Sequence, residues 1–87
     1  MAVNNVDIED VFVTITDNNL NPASFAPGYG GGGKRINHGA ADQIQLQEDG
    51  SGDCNVTWVA TRCNDATVVN TKTQNYTTPE TIDVSAR

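Results

Sequence analysis

The stretch that decides the fold is Cys54-Asn55-Val56-Thr57-Trp58-Val59-Ala60-Thr61-Arg62-Cys63, which contains the only tryptophan and both cysteines of the chain. Val56, Trp58 and Ala60 alternate with threonines and Val59, and alternation with period two is typical of a β-strand. Valine, threonine and tryptophan also suit a pleated, half-buried surface. We therefore predict a continuous central strand over residues 54–63, with Trp58 as the anchor of the core.

The same alternation separates the two cysteines. A continuous strand would space Cys54 and Cys63 by roughly 30 Å, since each residue of a strand advances the chain by about 3.3 Å. It would also place the two side chains on opposite faces. A disulfide needs Cα atoms within about 7 Å of each other. We expect two free thiols, while pairing between chains and an intramolecular bridge are the alternatives.

Further strand signals lie on both sides of this stretch. Residues 6–16 alternate, but the phase slips near Glu9 and Asp10, which predicts a bulge or a break between two short strands. Residues 42–48 alternate as well, with Ile44 and Leu46 facing inward. Turn signals rich in Asn, Asp, Gly and Pro separate the segments. The other strand candidates are residues 66–73, residues 81–86 and a short strand that begins at Ile36.

These features predict one all-β domain over residues 1–87. Five to seven short strands with no convincing helix favour a small antiparallel β-sandwich or an open barrel. Residues 25–35 contain four consecutive glycines, which carry a large ordering cost in regular structure. We predict an irregular Gly-rich loop there and a polar loop over residues 74–79.

The charge of the chain excludes several partners. The formal net charge is −6, and the 5 basic residues are scattered except for Lys34 and Arg35. Nucleic acids and anionic membranes attract clustered basic residues instead. No apolar run reaches the roughly 18 residues that span a bilayer. We expect neither nucleic-acid binding nor membrane insertion, and residues 1–5 show no signal-peptide pattern.

The Gly-rich segment resembles a phosphate-binding loop only in part. Gly28, Gly33 and Lys34 have the spacing of that motif, whose backbone N–H groups cradle phosphate. Arg35 occupies the position of the hydroxyl residue that would bind Mg²⁺, and no strand–loop–helix context surrounds the segment. We predict no nucleotide cofactor and expect a packing loop or a contact with a neighbouring subunit.

Metal binding and catalysis have little support in the sequence. One histidine and two distant cysteines lack the spacing of a zinc site. An EF-hand over the acidic turn would need glutamate at its twelfth position, where Val56 stands. An irregular Ca²⁺ site at Asp49 and Asp53 is the alternative to a solvated hairpin turn. We predict no metal site, and His38 lies in no nucleophile motif, so we predict that the chain is not an enzyme.

Two functions from different classes remain. The first is a structural, self-associating β-subunit of a virion surface or an extracellular filament, whose partners are itself or other protein subunits. Low charge, a Thr/Asn surface and Gly-rich backbone favour it, and self-association is one way to stabilise a small domain. The second is a monomeric sandwich whose loops hold a glycan or protein ligand. The predicted contact residues are Tyr29, Lys34, Arg35, His38 and Tyr76.

Overall fold

The computed structural model describes residues 1–87 as eight β-strands. The strands are β1 (Ala2–Asn5), β2 (Val11–Asp17), β3 (Ser24–Phe25), β4 (Lys34–Ile36), β5 (Ala41–Gln43), β6 (Asp53–Arg62), β7 (Val69–Thr77) and β8 (Thr81–Val84). The all-β prediction is confirmed. The strands outnumber the predicted five to seven because β1 and the two-residue β3 lie in segments where no strand was predicted. No helix of the length and hydropathy that a bilayer span requires is present.

The strands form two sheets that share one hydrophobic core. The smaller sheet has the order β5-β1-β8, and the larger has the order β3-β2-β6-β7, with β4 also pairing with β2. All pairs are antiparallel except β1 with β8, which run parallel. Val3, Ile82 and Val84 of the smaller sheet belong to the same buried cluster as the apolar residues of β2 and β6. The arrangement is a small β-sandwich.

The predicted central strand is confirmed as β6. It runs without interruption from Asp53 to Arg62 and lies between β2 and β7. Its even-numbered residues are buried and its odd-numbered residues are partly exposed, as the alternation predicts. Trp58 is 2% exposed, and its Nε1 donates a hydrogen bond of 2.9 Å to the Tyr76 hydroxyl on β7. Trp58 is therefore a core anchor that also ties β6 to β7.

The phase slip near Glu9 corresponds to a break between β1 and β2. The prediction that the first strand begins at Val6 was wrong, because residues 6–10 form the link, in which Val6 and Ile8 are 52% and 71% exposed. The buried side chain of Asn5 organises this link. Its Nδ2 donates to the Glu9 and Ile36 carbonyls, and its Oδ1 accepts from the Asp7 N–H. Side-chain hydrogen bonding thus replaces strand pairing over this segment.

Strand boundaries after the Gly-rich segment also differ from the prediction: β4 ends at Ile36 instead of beginning there, and β7 begins at Val69 instead of residue 66. β5 ends at Gln43, although Ile44 is buried as the alternation requires. β7 covers Val69–Thr77, so residues 74–77, predicted to be loop, are strand. Their polar composition favours a loop when the segment is considered alone, but pairing with β6 continues to Thr77. A tertiary partner therefore outweighs local preference here.

The Gly-rich segment is irregular over residues 26–33 and packs closely on β2, whereas Phe25, Lys34 and Arg35, which the predicted loop over residues 25–35 included, lie in β3 and β4. The Tyr29 side chain is 1% exposed, and the Tyr29 carbonyl accepts the Ile15 N–H at 3.0 Å. Gly33 has a φ of +91°, and a Cβ there would lie 3.1 Å from the Val13 backbone. Glycine at position 33 therefore allows the loop to return against the sheet.

Candidate functional site

The five predicted contact residues fall into different environments. Tyr29 and Tyr76 are 1% and 4% exposed and belong to the core cluster, so their rings do not lie on the free surface. Lys34, Arg35 and His38 are exposed. The structure brings Lys34 against Tyr29 and brings Arg35 near His38, whereas Tyr76 lies on β7 with Trp58. The predicted residues therefore do not form one site.

Tyr29 and Lys34 converge on Asp42 of β5. The Tyr29 hydroxyl donates to Asp42 Oδ2 at 2.5 Å, and Lys34 Nζ lies 2.6 Å from the same oxygen. Burial and the neighbouring Asp42 carboxylate raise the pKa of Tyr29, while the bonds from Lys34 and Tyr29 lower the pKa of Asp42. The phenol stays protonated and the carboxylate stays charged. This cluster joins the Gly-rich loop to the smaller sheet and offers no group poised for proton transfer.

Arg35 and His38 converge on Asp10. Arg35 Nη2 lies 2.6 Å from Asp10 Oδ2, and the His38 N–H donates to Asp10 Oδ1 at 2.7 Å. These two bonds lower the pKa of Asp10. His38 Nδ1 is already within 2.6 Å of the Asp7 carbonyl oxygen. The cluster holds the chain after β4 against the link between β1 and β2, and the only histidine has no nucleophile partner in it.

Both thiols are free, as expected. Cys54 is buried and Cys63 is partly buried. Burial raises the pKa of the Cys54 thiol, with further contributions from Glu48 and Asp17. Burial also raises the pKa of Cys63, and the nearby Arg35 offsets that effect only in part. Since the thiolate is the reactive form of cysteine, neither residue is activated as a nucleophile.

The cavities and acidic residues do not assemble a metal centre. One open cavity of about 270 Å³ lies beside Met1, Leu46 and Cys54, and another of about 220 Å³ lies beside Ile8 and Arg62. No group of three His, Cys, Asp or Glu side chains lies close enough to hold a metal ion. In the acidic turn, Asp49 Oδ1 accepts the Ser51 and Asp53 N–H groups, and Asp53 Oδ1 accepts the Thr77 hydroxyl.

Between the charged residues Asp53 at the start of β6 and Arg35 on β4, the outward surface of the larger sheet carries only uncharged side chains, and we term this part the Thr/Asn face. It consists of the outward residues of three neighbouring strands: Phe12, Thr14 and Thr16 of β2, Asn55, Thr57, Val59 and Thr61 of β6, and Val69, Thr71, Thr73 and Asn75 of β7. Side-chain bonds link the strands across this face. The Thr57 and Thr73 hydroxyl oxygens are 2.8 Å apart, and Asn55 Nδ2 donates to Asn75 Oδ1 at 2.7 Å.

One long edge of this sheet has no strand partner. β7 pairs with β6 alone, and bonded and non-bonded pairs alternate along an antiparallel ladder. The Arg62 N–H donates to the Val68 carbonyl, and the Asn55 carbonyl, on the opposite edge of β6, accepts the Asn18 N–H. Even-numbered residues of β7 therefore bond to β6. Odd-numbered residues direct their N–H and C=O groups away from the sheet.

We term this surface the β7 edge, defined by the outward backbone groups of Val69, Thr71, Thr73 and Asn75. None of these groups takes part in a backbone hydrogen bond outside the β6–β7 ladder. At Thr77 the edge ends, because Glu80 bonds to both the N–H and the C=O of that residue. This edge was not predicted from the sequence, because the polar residues 74–79 indicated a loop. The alternation of Thr71, Thr73 and Asn75 with Tyr76 inward indicates that the strand continues to Tyr76, but only the strand order makes it an edge.

No protein-family model, curated protein or solved structure matches this chain. The β7 edge and the Thr/Asn face are therefore assigned from the geometry of the chain itself.

Proposed function

We propose that this chain is a non-catalytic structural subunit that self-associates through the β7 edge. The observation that supports the proposal best is the β7 edge, along which the outward backbone groups of four residues between Val69 and Asn75 lack partners. Such an edge is a template for pairing with another chain, and monomeric proteins usually protect it. A structural subunit uses the same property to assemble.

The usual protective features are sparse on β7. The strand contains no proline, and its register with β6 runs from Val69 to Thr77 without a bulge. Lys72 is its only charged residue and the one edge-protecting side chain on the strand, and none of its residues is acidic. The whole chain has a net charge of −6, but β7 carries no carboxylate. Two copies of β7 could therefore pair without placing one carboxylate opposite another.

The chemistry of the remaining surface supports a role without catalysis. Asp7, Asp10 and Asp42 are engaged in ion pairs, and both thiols are held in their protonated form by raised pKa values. An active site usually needs a cleft that collects groups with tuned pKa values. The proposed setting is a virion surface or an extracellular filament, in which the chain contacts copies of itself or other protein subunits.

The proposal is tested by measuring mass in solution with light scattering across a wide concentration range, for the wild type and for Thr71→Pro. The Thr71 N–H faces outward, so proline there removes no bond to β6, and proline is tolerated at such edge positions. We expect the wild type to associate as concentration rises and Thr71→Pro to remain a monomer. Thr71→Val keeps the N–H and serves as the matched control, which should associate like the wild type.

Circular dichroism must first show that Thr71→Pro retains the β-sheet spectrum and a cooperative melt. A wild type that stays monomeric at millimolar concentration would overturn the proposal and favour a monomeric binding module. Equal association of the wild type and Thr71→Pro would also overturn it, because assembly would then use another surface.

A further inference from the structure

We infer that β7 pairs antiparallel with β7 of a second copy of this chain, about a two-fold axis at Lys72. The inference rests on the proposed function and specifies the partner, the orientation and the register. An isologous contact of this kind uses one surface twice, which is the commonest arrangement in soluble homo-oligomers.

The free backbone groups limit the registers that are possible. Because only odd-numbered residues of β7 face outward, a bonded pair must join an odd-numbered residue of one copy to an odd-numbered residue of the other. The edge extends from Val69 to Asn75, since Glu80 occupies Thr77. The register that places Val69 opposite Asn75 and Thr71 opposite Thr73 satisfies every outward group of both copies.

In this register the two copies exchange about eight backbone hydrogen bonds, two for each of four pairs. Shifting one copy by two residues leaves Val69 of each copy outside the bonded overlap. Satisfaction of all backbone donors and acceptors therefore selects the register centred on Lys72. The Thr/Asn face would then continue across the two-fold axis as one uncharged surface.

The same register places Lys72 opposite Lys72 of the second copy, in a non-bonded pair. Like charges in directly opposite positions oppose pairing. Lys72 is exposed, so solvent screens the two ammonium groups and the repulsion weakens the contact without preventing it. The only charge on β7 thus lies at the axis, where one residue controls the affinity of both copies.

Cross-linking of variants with one introduced cysteine tests the register, in a Cys63→Ser background whose remaining native thiol, Cys54, is buried. The Cα atoms of a non-bonded antiparallel pair lie about 4.5 Å apart, within the range that a disulfide spans. Lys72→Cys should therefore form a disulfide-linked dimer under mild oxidation, of about twice the 9.3 kDa of one chain. Thr73→Cys should not, because in this register it faces Thr71 and its own copies are about 8 Å apart.

A charge variant gives a second, independent readout. Replacing Lys72 by Gln should lower the dimer dissociation constant about fivefold at low salt, the effect of removing two unit charges about 4 Å apart in water. Lys72→Arg keeps the charge and should leave the dissociation constant unchanged. Raising the ionic strength should strengthen the wild-type dimer more than the Lys72→Gln dimer, because only the wild type has the repulsive lysine pair for salt to screen.

The outcomes separate this inference from the proposed function. Association that Thr71→Pro abolishes, together with cross-linking of Thr73→Cys rather than Lys72→Cys, would overturn the register and retain the self-associating subunit. A wild type that remains monomeric, with neither variant cross-linking, would overturn both. If Lys72→Gln has a higher dimer dissociation constant than the wild type, the placement of Lys72 at the axis would also be overturned.

Discussion

Arg62 Nη2 lies 2.8 Å from Asp7 Oδ1 in an ion pair whose side chains are 9% and 1% exposed. Asp7 also accepts hydrogen bonds at Oδ2 from the Ser85 hydroxyl and the Ala86 N–H. One carboxylate thereby joins the link between β1 and β2 to the end of β6 and to the segment after β8. Arg62 Nε has no partner, so the guanidinium depends on Asp7 for compensation of its charge.

We predict that Asp7→Asn lowers the free energy of unfolding by about 3–5 kcal/mol, because it leaves Arg62 charged and uncompensated in a buried site. Urea denaturation at pH 7 measures the change. Asp83→Asn, at an exposed position of β8, is the matched control and should fall within about 0.5 kcal/mol of the wild type.

If Asp7→Asn fails to fold, the double variant Asp7→Asn/Arg62→Met tests whether the uncompensated charge of Arg62 is the cause. It removes both charges, and a buried ion pair replaced by apolar volume is often tolerated. We expect the double variant to be more stable than Asp7→Asn alone. A single variant as stable as the wild type would show that Arg62 does not depend on this carboxylate.

The same carboxylate makes stability fall in acid. Burial alone would raise the pKa of Asp7, but hydrogen bonds from Arg62, Ala86, Glu9 and Ser85 outweigh it and lower the pKa to about 2 from 3.8. Because the folded pKa lies below the unfolded one, the unfolded chain binds more protons in acid. The ionised Asp7 therefore contributes about 2 kcal/mol to the free energy of unfolding above about pH 4, and this contribution is lost as the pH falls towards 2.

Melting temperatures between pH 7 and pH 2 measure this effect. The wild type should lose stability mainly below pH 4, and the double variant Asp7→Asn/Arg62→Met should lose less over the same range. Asp10 and Asp42 also have lowered pKa values, so both proteins lose some stability in acid through these two residues. Parallel pH curves for the two proteins would contradict the assignment to Asp7.

Two neighbouring glycines give a third prediction. Gly33 has a φ of +91°, and a Cβ there would meet the Val13 backbone at 3.1 Å, whereas a Cβ on Gly32 would meet nothing within 4 Å. We expect Gly33→Ala to cost about 1–3 kcal/mol through strained backbone and close contact. Gly32→Ala should be neutral or stabilise by up to about 1 kcal/mol, since it restricts the unfolded chain. Equal effects in thermal denaturation would show that the loop does not pack closely on β2.

Hydrophobic alternation was sufficient to predict the core of the larger sheet. Val56, Trp58 and Ala60 face inward as their spacing requires, and Val11, Val13 and Ile15 do the same on β2. In a strand, alternate residues face the core, so the inward positions can be predicted from the sequence of one segment without knowing its partner strands. The phase slip near Glu9 indicated where β2 begins, but not where β1 ends, since Val6 and Ile8 lie in the link.

Features that depend on distant partners could not be predicted in the same way. The polar composition of residues 74–77 predicts a loop, and these residues form a strand only because they pair with β6. Tyr29 and Tyr76 were expected at the surface because each lies among turn or polar residues. Their burial depends on Asp42 and Trp58, 13 and 18 residues away along the chain. The β7 edge follows from strand order, which the alternation of one segment does not specify.

The two thiols should differ in their reactivity towards iodoacetamide. Cys54 is 2% exposed, whereas Cys63 is partly exposed on the opposite face, and both pKa values are raised. We expect slow alkylation of Cys63 at pH 7, faster alkylation as the pH rises and more thiolate forms, and protection of Cys54 until the chain unfolds. Mass spectrometry of peptides from timed reactions measures both rates.

In denaturant the two cysteines should react at similar rates, and Cys63→Ser should remove the reaction seen in the folded protein. Rapid modification of Cys54 in the folded chain would contradict its burial between the sheets. An intramolecular disulfide between Cys54 and Cys63 would contradict the continuous strand β6 itself. Their Cα atoms would have to lie within about 7 Å of each other, which requires a turn inside β6. Such a turn would separate Trp58 from Tyr76 and end the ladder that leaves the β7 edge exposed.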